Sequence, residues 1–366
     1  MNIAIICPNF PPAKFEGGIS HYSAHLANHL LLRNHRIYAL ASSEFALKVP
    51  RLDHKNGAEI IRIPGPWDYA SVSEIKKVLK DKKIESVILQ YAPAVYNTSF
   101  RIRWAFTKLP CKKIATFHTL WGNTWDRILG MLLLFGSSKI IVTNSEIMSI
   151  FRRRIPFFLR KSYWIPIATN IFPTKEENRP ESESLPIISY FGMLYPGKGL
   201  DTILDTLKEL KRKKEKFIFK FLGGPIIYFQ SYEAYFKAEL KRRNLSDMVE
   251  CLGYIPPEDV SMWLSKSRFV FLPYDKGMSD RRGTFMAAIA HGKAVLTSPP
   301  IVPMPSLENG INVIWPNRKC VDEYVKLIQR LLHDENLVST LGKGAKKLSR
   351  MFNWEKIAQQ YEMVLS

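Results

Sequence analysis

The sequence predicts an α/β protein of two Rossmann-like domains, each a parallel sheet covered by helices, the two facing across a cleft. Three observations carry this. A length of 366 residues is about twice what one hydrophobic core of ordinary size serves. Short β-branched apolar runs alternate with helical patterns in both halves, the signature of βα repeats. A polar, proline-flanked stretch at 173–186, PTKEENRPESESLP, reads as a linker. The first domain is then 1–172 and the second 187–351, with a last helix over Phe352–Ser366.

The first half opens on NIAIIC (Asn2–Cys7), a buried parallel strand that ends in PNFPP. Gly17-Gly18 then leads into a helix from Ser20 to Leu32. Strand, glycine pair, helix is the arrangement that lets a phosphate approach backbone amides, although a lone pair is weaker than GxGxxG. His21, His25 and His29 recur at i, i+4 and i+8. Neither HExxH nor a local carboxylate accompanies them, so no metal is expected. His21, nearest the loop, is the one placed to touch a ligand. Arg36–Ala41, Glu59–Ile63, Ser86–Gln90, Lys113–Phe117 and Lys139–Thr143 read as strands, and Val72–Lys82 as a basic amphipathic helix. Tyr91 stands at one carboxyl edge and His118 at another; His118 faces the crevice or serves as a structural cap.

The second half repeats the pattern. Strand Leu185–Phe191 is followed by the loop Gly192–Gly199, helix Leu200–Lys211, strand Phe217–Leu222, Gly223-Gly224 and helix Tyr232–Arg243. Helix Glu258–Ser265 leads to strand Arg268–Leu272, then a loop with Ser279, Asp280, Arg281, Arg282, Gly283 and Thr284. A small-residue helix (Thr284–His291) and strand Lys293–Thr297 complete a βαβ unit. Its loop lies outside the carboxyl end of a strand, where open α/β sheets bind ligands. Two guanidinium groups and hydroxyls at a helix start suit a phosphate or diphosphate. The alternative is a solvated turn whose arginines pair with nearby acids.

The net charge is +20, and residues 97–161 hold 12 Lys and Arg against only Asp126 and Glu146. Such a field draws in polyanions, and here the charges alternate with aromatic and aliphatic residues, which favours an anionic membrane surface over nucleic acid. Arg101, Arg103, Trp104, Trp121, Trp125, Arg152, Arg153 and Arg154, with Tyr91 and His21, are the candidate acceptor or membrane residues. The alternative is core helices with solvated basic edges. Four scattered cysteines without CxxC fit a reducing compartment, and no run approaches the ~20 apolar residues of a membrane span. MNIAIIC lacks the basic start of a signal peptide. The expected location is cytoplasmic, peripheral to the inner face of the plasma membrane.

Six segments in order resemble the GT-B glycosyltransferases, in particular retaining glycosyltransferase family 4: PNFPP with EGGISHYSAHLANHL, FGMLYPGKGLDTIL, LGYIPPEDV, AAIAHGKAVLTS and FNWEKIAQQYEMVL. The resemblance covers nearly the full length. It implies a nucleotide-diphospho-sugar donor (UDP or GDP), no cofactor, and a last helix that packs back on the first domain. It implies that Gly17, Gly18 and Gly192 lie against the donor, that His118 approaches the sugar, that Lys198 binds the diphosphate, and that Gly223, Gly224, Tyr254 and Ile255 border the nucleoside. The chain departs from the family's Glu-x7-Glu pair, holding Ser279 and Ala287 there, and has Met193 where an arginine usually precedes the phosphate lysine. It fits a subgroup with S-x-R-R-G-T, in which Arg281 and Arg282 replace the lost cation.

The reaction so implied is metal-independent transfer of a hexosyl group, with retention, to a lipid-linked or polysaccharide glycan, one form being a polyprenyl-diphosphate-linked acceptor. Lys198, Arg281 and Arg282 would stabilise the leaving diphosphate. The rivals are a non-catalytic sugar-nucleotide-binding protein, a sugar-nucleotide epimerase of GT-B build, and a basic nucleic-acid binder.

Overall fold

The computed structural model describes the chain except residues 15, 46–51, 56, 64–68, 97–99, 121, 175–184 and 225–229, so Trp121 and most of the linker lie outside the described residues. The chain divides into two units, residues 1–168 with 353–366, and residues 169–352.

In the first unit the strands are β1 (Asn2–Ile6), β2 (Arg36–Ser42), β3 (Leu52–Lys55), β4 (Ala58–Ile63), β5 (Ser86–Tyr91), β6 (Lys112–Phe117), β7 (Lys139–Val142) and β8 (Ser162–Trp164). The helices are α1 (Gly18–Leu31), α2 (Tyr69–Asp81), α3 (Phe100–Thr107), α4 (Thr124–Gly136) and α5 (Ser145–Arg154). The second unit holds β9 (Ile187–Phe191), α6 (Leu200–Arg212), β10 (Ile218–Leu222), α7 (Gln230–Arg242), β11 (Val249–Cys251), α8 (Pro257–Lys266), β12 (Phe269–Leu272), α9 (Gly283–Ala290), β13 (Ala294–Thr297), α10 (Val321–His333) and α11 (Glu335–Ser349). The last helix, α12 (Trp354–Leu365), belongs to the first unit.

The first sheet has the order β3-β4-β2-β1-β5-β6-β7-β8. All its pairs are parallel except β3 with β4. That antiparallel hairpin departs from the expected all-parallel sheet. Its register pairs Lys55 with Ala58, and Gly57 before β4 has φ 89°. In sequence, Asn-Gly between two strands is the common mark of a hairpin. Successive residues of β1 feed opposite faces: Ile3 and Ile5 join one apolar cluster with α1 and α12, Ala4 and Ile6 the other with α2, α3 and α4. Burial on both faces is why the strand reads as an unbroken apolar run.

The second sheet is β11-β10-β9-β12-β13, parallel throughout. Both sheets start at the middle and wind outward in two directions. The order reverses at β1/β5 in the first and at β9/β12 in the second. At such a switch point the loops leaving the two strands part and open a crevice at the carboxyl edge. Among the described residues, no helix is long and apolar enough to cross a membrane.

Candidate functional site

The loops that follow β9, β10, β11 and β12 leave the second sheet at one edge, and they are laid backbone on backbone. Gly192 N–H donates to Leu222 O (3.0 Å) and Leu194 N–H to Gly224 O (3.0 Å), while Gly223 bridges Gly253. A Cβ on Gly223, whose φ is 145°, would fall 2.0 Å from Gly192 O, so only glycine lets these loops meet. Tyr254 is 90% exposed beyond them, and Ile255 follows half-buried. Lys198 lies half-buried on the β9 loop with Nζ 4.8 Å from the Tyr195 ring centre.

Across the switch point, the β12 loop delivers the start of α9. Arg282 is its N-cap, and its guanidinium lies 4.6 Å from the ring centre of buried Tyr274. The Tyr274 hydroxyl is 2.7 Å from Thr284 Oγ1. Burial pushes Tyr274 up to about 12, so it stays a neutral phenol that holds the loop. Arg281 and Gly283 are exposed, and the helix begins with amides that lack intrahelical partners. Lys198, Arg281 and Arg282 thus stand on loops from the adjacent strands β9 and β12, with a positive helix end beside them.

Ser279, expected at the donor, lies inside the turn. It is 1% exposed, its hydroxyl accepts from Arg281 N–H (3.4 Å), and its carbonyl accepts from Arg282 N–H (3.1 Å). It shapes the turn from inside. Ala287, the other position of the missing Glu pair, is fully buried in α9.

In the first unit, Gly17 and Gly18 start α1, exposed, with no atom within 4 Å of a Cβ built on either. His21 is half-exposed, Nε2 3.8 Å from Glu16 Oε2. His118 follows β6. Its N–H donates to Tyr91 O (2.9 Å), its Nε2 lies 2.8 Å from Gln90 Oε1, and its ring meets Tyr22 edge-on at 4.8 Å. Burial drives its pKa down to about 3, so the imidazole is neutral at physiological pH. With Gln90 Oε1 accepting, the proton sits on Nε2 and Nδ1 remains an acceptor. Tyr22 is fixed from α12: its hydroxyl is 3.1 Å from that of Tyr361, itself 2.8 Å from Thr116 Oγ1. Sequence reasoning passed over Gln90, Tyr22, Tyr274 and Tyr361. A polar residue closing the apolar strand SVILQ was the available signal for the first. His25 and His29 stack on Trp354, at 5.1 and 6.0 Å, and so seat α12.

Two of the expected acceptor or membrane residues lie in the interior. Arg103 and Tyr91 are fully buried. Arg103 sits between α3 and α4, 3.4 Å from Asp126 Oδ1 and 5.3 Å from the Tyr91 ring centre. A charge taken out of water must be paired, and Asp126, held in the first turn of α4 with Asn123, provides the partner. Arg101, Trp104, Trp125 (69%), Arg152, Arg153 and Arg154 are exposed. Ile128, Phe135 and Phe157 are exposed too, Phe135 touching Phe157 at 5.7 Å between ring centres. Along α4 the exposed Trp125, Ile128 and Phe135 fall on one stripe at helical spacing.

Residues 172–348 match the family described as Glycosyl transferases group 1. An uncharacterized glycosyltransferase of Methanocaldococcus jannaschii is 25% identical over 173 residues, which is 46% of this chain and 44% of that protein. The chain thus aligns with under half the length of this curated relative. Among solved structures, sucrose-phosphate synthase from Thermosynechococcus elongatus is similar with a TM-score of 0.80 at 18% identity, covering 99% of this chain and 97% of that one. Anabaena HepE in complex with UDP and glucose gives 0.78 at 15%, covering 100% and 99%. The chain therefore has the GT-B glycosyltransferase fold. Its second unit carries the group 1 glycosyltransferase match.

Proposed function

We propose that the protein is a retaining, metal-independent hexosyltransferase. It takes the sugar from a nucleotide-diphospho-sugar and passes it to a lipid-linked or polysaccharide glycan at the cytoplasmic face of a membrane. The observation that carries this reading is the placement of Lys198, Arg281, Arg282 and the first turn of α9 at the β9/β12 switch point. Breaking a glycosidic bond to a diphosphate loads negative charge onto the leaving group. Fixed cations and helix amides meet that charge without reorganising, and such preorganised donors are usually the largest part of a rate enhancement. The diphosphate oxygen that leaves takes the acceptor's proton from the same face of the sugar, which retains configuration. Neutral His118 offers Nδ1 to a sugar hydroxyl. Gly17 and Gly18 leave room for the sugar or its diphosphate to reach backbone amides. Tyr254, Ile255, Gly223 and Gly224 border the nucleoside. The similar HepE structure holds UDP and glucose, which makes UDP sugars the first donors to try.

A thermal-shift screen against UDP, GDP and dTDP sugars is expected to show stabilisation by one nucleotide class, followed by release of free nucleoside diphosphate once an acceptor is added. If no class stabilises the protein, the reading fails. A second reading, a non-catalytic sugar-nucleotide binder, is favoured by Ala287, which cannot grip a ribose as the family's Glu does. It predicts binding with the donor left intact.

The membrane part of the proposal rests on the exposed Trp104, Trp125, Ile128, Phe135 and Phe157 beside Arg101 and Arg152–Arg154. In flotation with anionic vesicles the protein is expected to bind at low salt and dissociate at high salt. Replacing Trp125 and Phe135 together by serine is expected to weaken binding by at least about tenfold, since each buried aromatic is worth roughly 1.5–3 kcal/mol. Absence of binding at low salt would end this part.

A further inference from the structure

We infer that Arg62 is a positioning residue for the Gly17–Gly18 turn, an assignment that rests on the transferase reading for its catalytic meaning. Arg62 is the penultimate residue of β4, which is separated from β1 by β2. It is 3% exposed. Its Nη1 donates to Phe10 O (3.0 Å) and its Nη2 to Pro12 O (2.6 Å). The loop it grips, PNFPP, follows β1 and runs toward the glycines. Prolines at 11 and 12 supply no N–H, so this stretch has little means of holding itself by its own amides. Phe10 and Pro11 are buried, and interior carbonyls there need donors. A planar guanidinium fork supplies two from one rigid group, which an ammonium on a flexible stem does not reproduce.

The contacts continue to the glycines. Ala13 N–H donates to Glu16 Oε1 (3.2 Å), Glu16 Oε2 is 3.8 Å from His21 Nε2, and Gly17 N–H donates to Ser20 Oγ (3.3 Å). At the other end Ser42 N–H, from the end of β2, donates to Pro8 O (3.0 Å). Between that tie and Glu16, Arg62 holds the carbonyls of Phe10 and Pro12, and Ala13 takes part in a β-bridge. On its other side Gly17 is tied to α1, its carbonyl accepting from His21 N–H (3.1 Å), so the loop held by Arg62 sets how the chain enters the turn and α1 how it leaves.

The test uses the full chain with Arg62→Gln and Arg62→Lys, and three measurements. Calorimetric affinity for UDP is expected to stay within about twofold of the parent, because the cations assigned to the diphosphate stand on the second unit and the inference takes the Gly17–Gly18 turn to meet the transferred sugar, which UDP lacks. Turnover is expected to fall about 10- to 100-fold in Arg62→Gln, the size of effect that a misplacement of about 1 Å brings, with little recovery in Arg62→Lys. Deuterium exchange at the amides of residues 13–20 is expected to speed up in both variants, while residues 192–199 keep the parent rate. Unchanged exchange at 13–20 overturns the inference, as does parental turnover, or a UDP affinity that falls in step with turnover. If the parent protein turns over no donor, the transferase reading fails, and the exchange measurement still decides the role of Arg62. Should Arg62→Gln not fold, Arg62→Lys keeps the charge and carries all three measurements.

Discussion

Arg282→Ala is expected to lower kcat by about 10²-fold or more, the typical loss when one preorganised donor to a developing oxyanion is removed. That is roughly 2.7 kcal/mol of transition-state stabilisation. The size follows from where the guanidinium stands. It is half-buried at the N-cap of α9, held over the ring of Tyr274, and Tyr274 is tied in turn to Thr284. A cation with little freedom in a partly desolvated position interacts far more strongly with a diphosphate than one in water. Arg281 is exposed, so Arg281→Ala should cost less, solvent and salt screening much of its charge. Arg282→Lys keeps the charge but loses the planar stack on Tyr274, and an intermediate rate is expected. Steady-state kinetics at saturating donor, with UDP affinity measured alongside, separates the two roles. A fall in kcat larger than the fall in UDP affinity marks an interaction made in the transition state. If kcat of Arg282→Ala stays within twofold of the parent, the leaving group is stabilised elsewhere.

The expected α/β class with two parallel sheets followed from residues that report their own environment. The cores of NIAII, SVILQY and FVFL are unbroken apolar runs because both faces of each strand are covered, and such runs are legible without any partner. The strand β3 was not legible in the same way. LDHK carries no apolar alternation, and the Asn56-Gly57 pair before AEIIRI was the only pointer to a hairpin. In the site, Lys198, Arg281 and Arg282 announced themselves by chemical type beside glycines at strand ends. What the sequence could not show is which way a charged or polar side chain turns. Arg101, Arg103 and Trp104 are near neighbours on one short helix, yet Arg103 points into the core toward Asp126, a residue 23 positions on. Ser279 and Arg281 share one turn, yet one is interior and the other exposed. Supporting contacts over long separations, Tyr22 with Tyr361 or Arg62 with Phe10, are set by topology and leave no local mark.

Gly199→Ala is expected to destabilise the second unit by about 3 kcal/mol or more, and to disable the site with it. Two effects combine at this position. Gly199 has φ 79°, a left-handed conformation that costs an L-residue roughly 1–2 kcal/mol. A Cβ there would also fall 1.8 Å from Pro273 O and 2.7 Å from its carbonyl carbon, both backbone atoms that no rotamer change can move aside. The clash can be relieved only by separating the loop that carries Lys198 from the end of β12, which leads to Arg281 and Arg282. Stability and diphosphate binding should therefore fall together, with a drop in melting temperature of roughly 10 °C for a unit of this size. Gly197→Ala is the control. Its φ of 89° is equally left-handed, but no atom lies within 4 Å of the added methyl, so it should lose only about 1–2 kcal/mol. Thermal unfolding and UDP affinity of the two variants, compared side by side, decide whether contact with Pro273 or backbone conformation dominates. Equal losses would show that the β9 and β12 loops are free to part, and that the cations of the site are not held in register by this glycine.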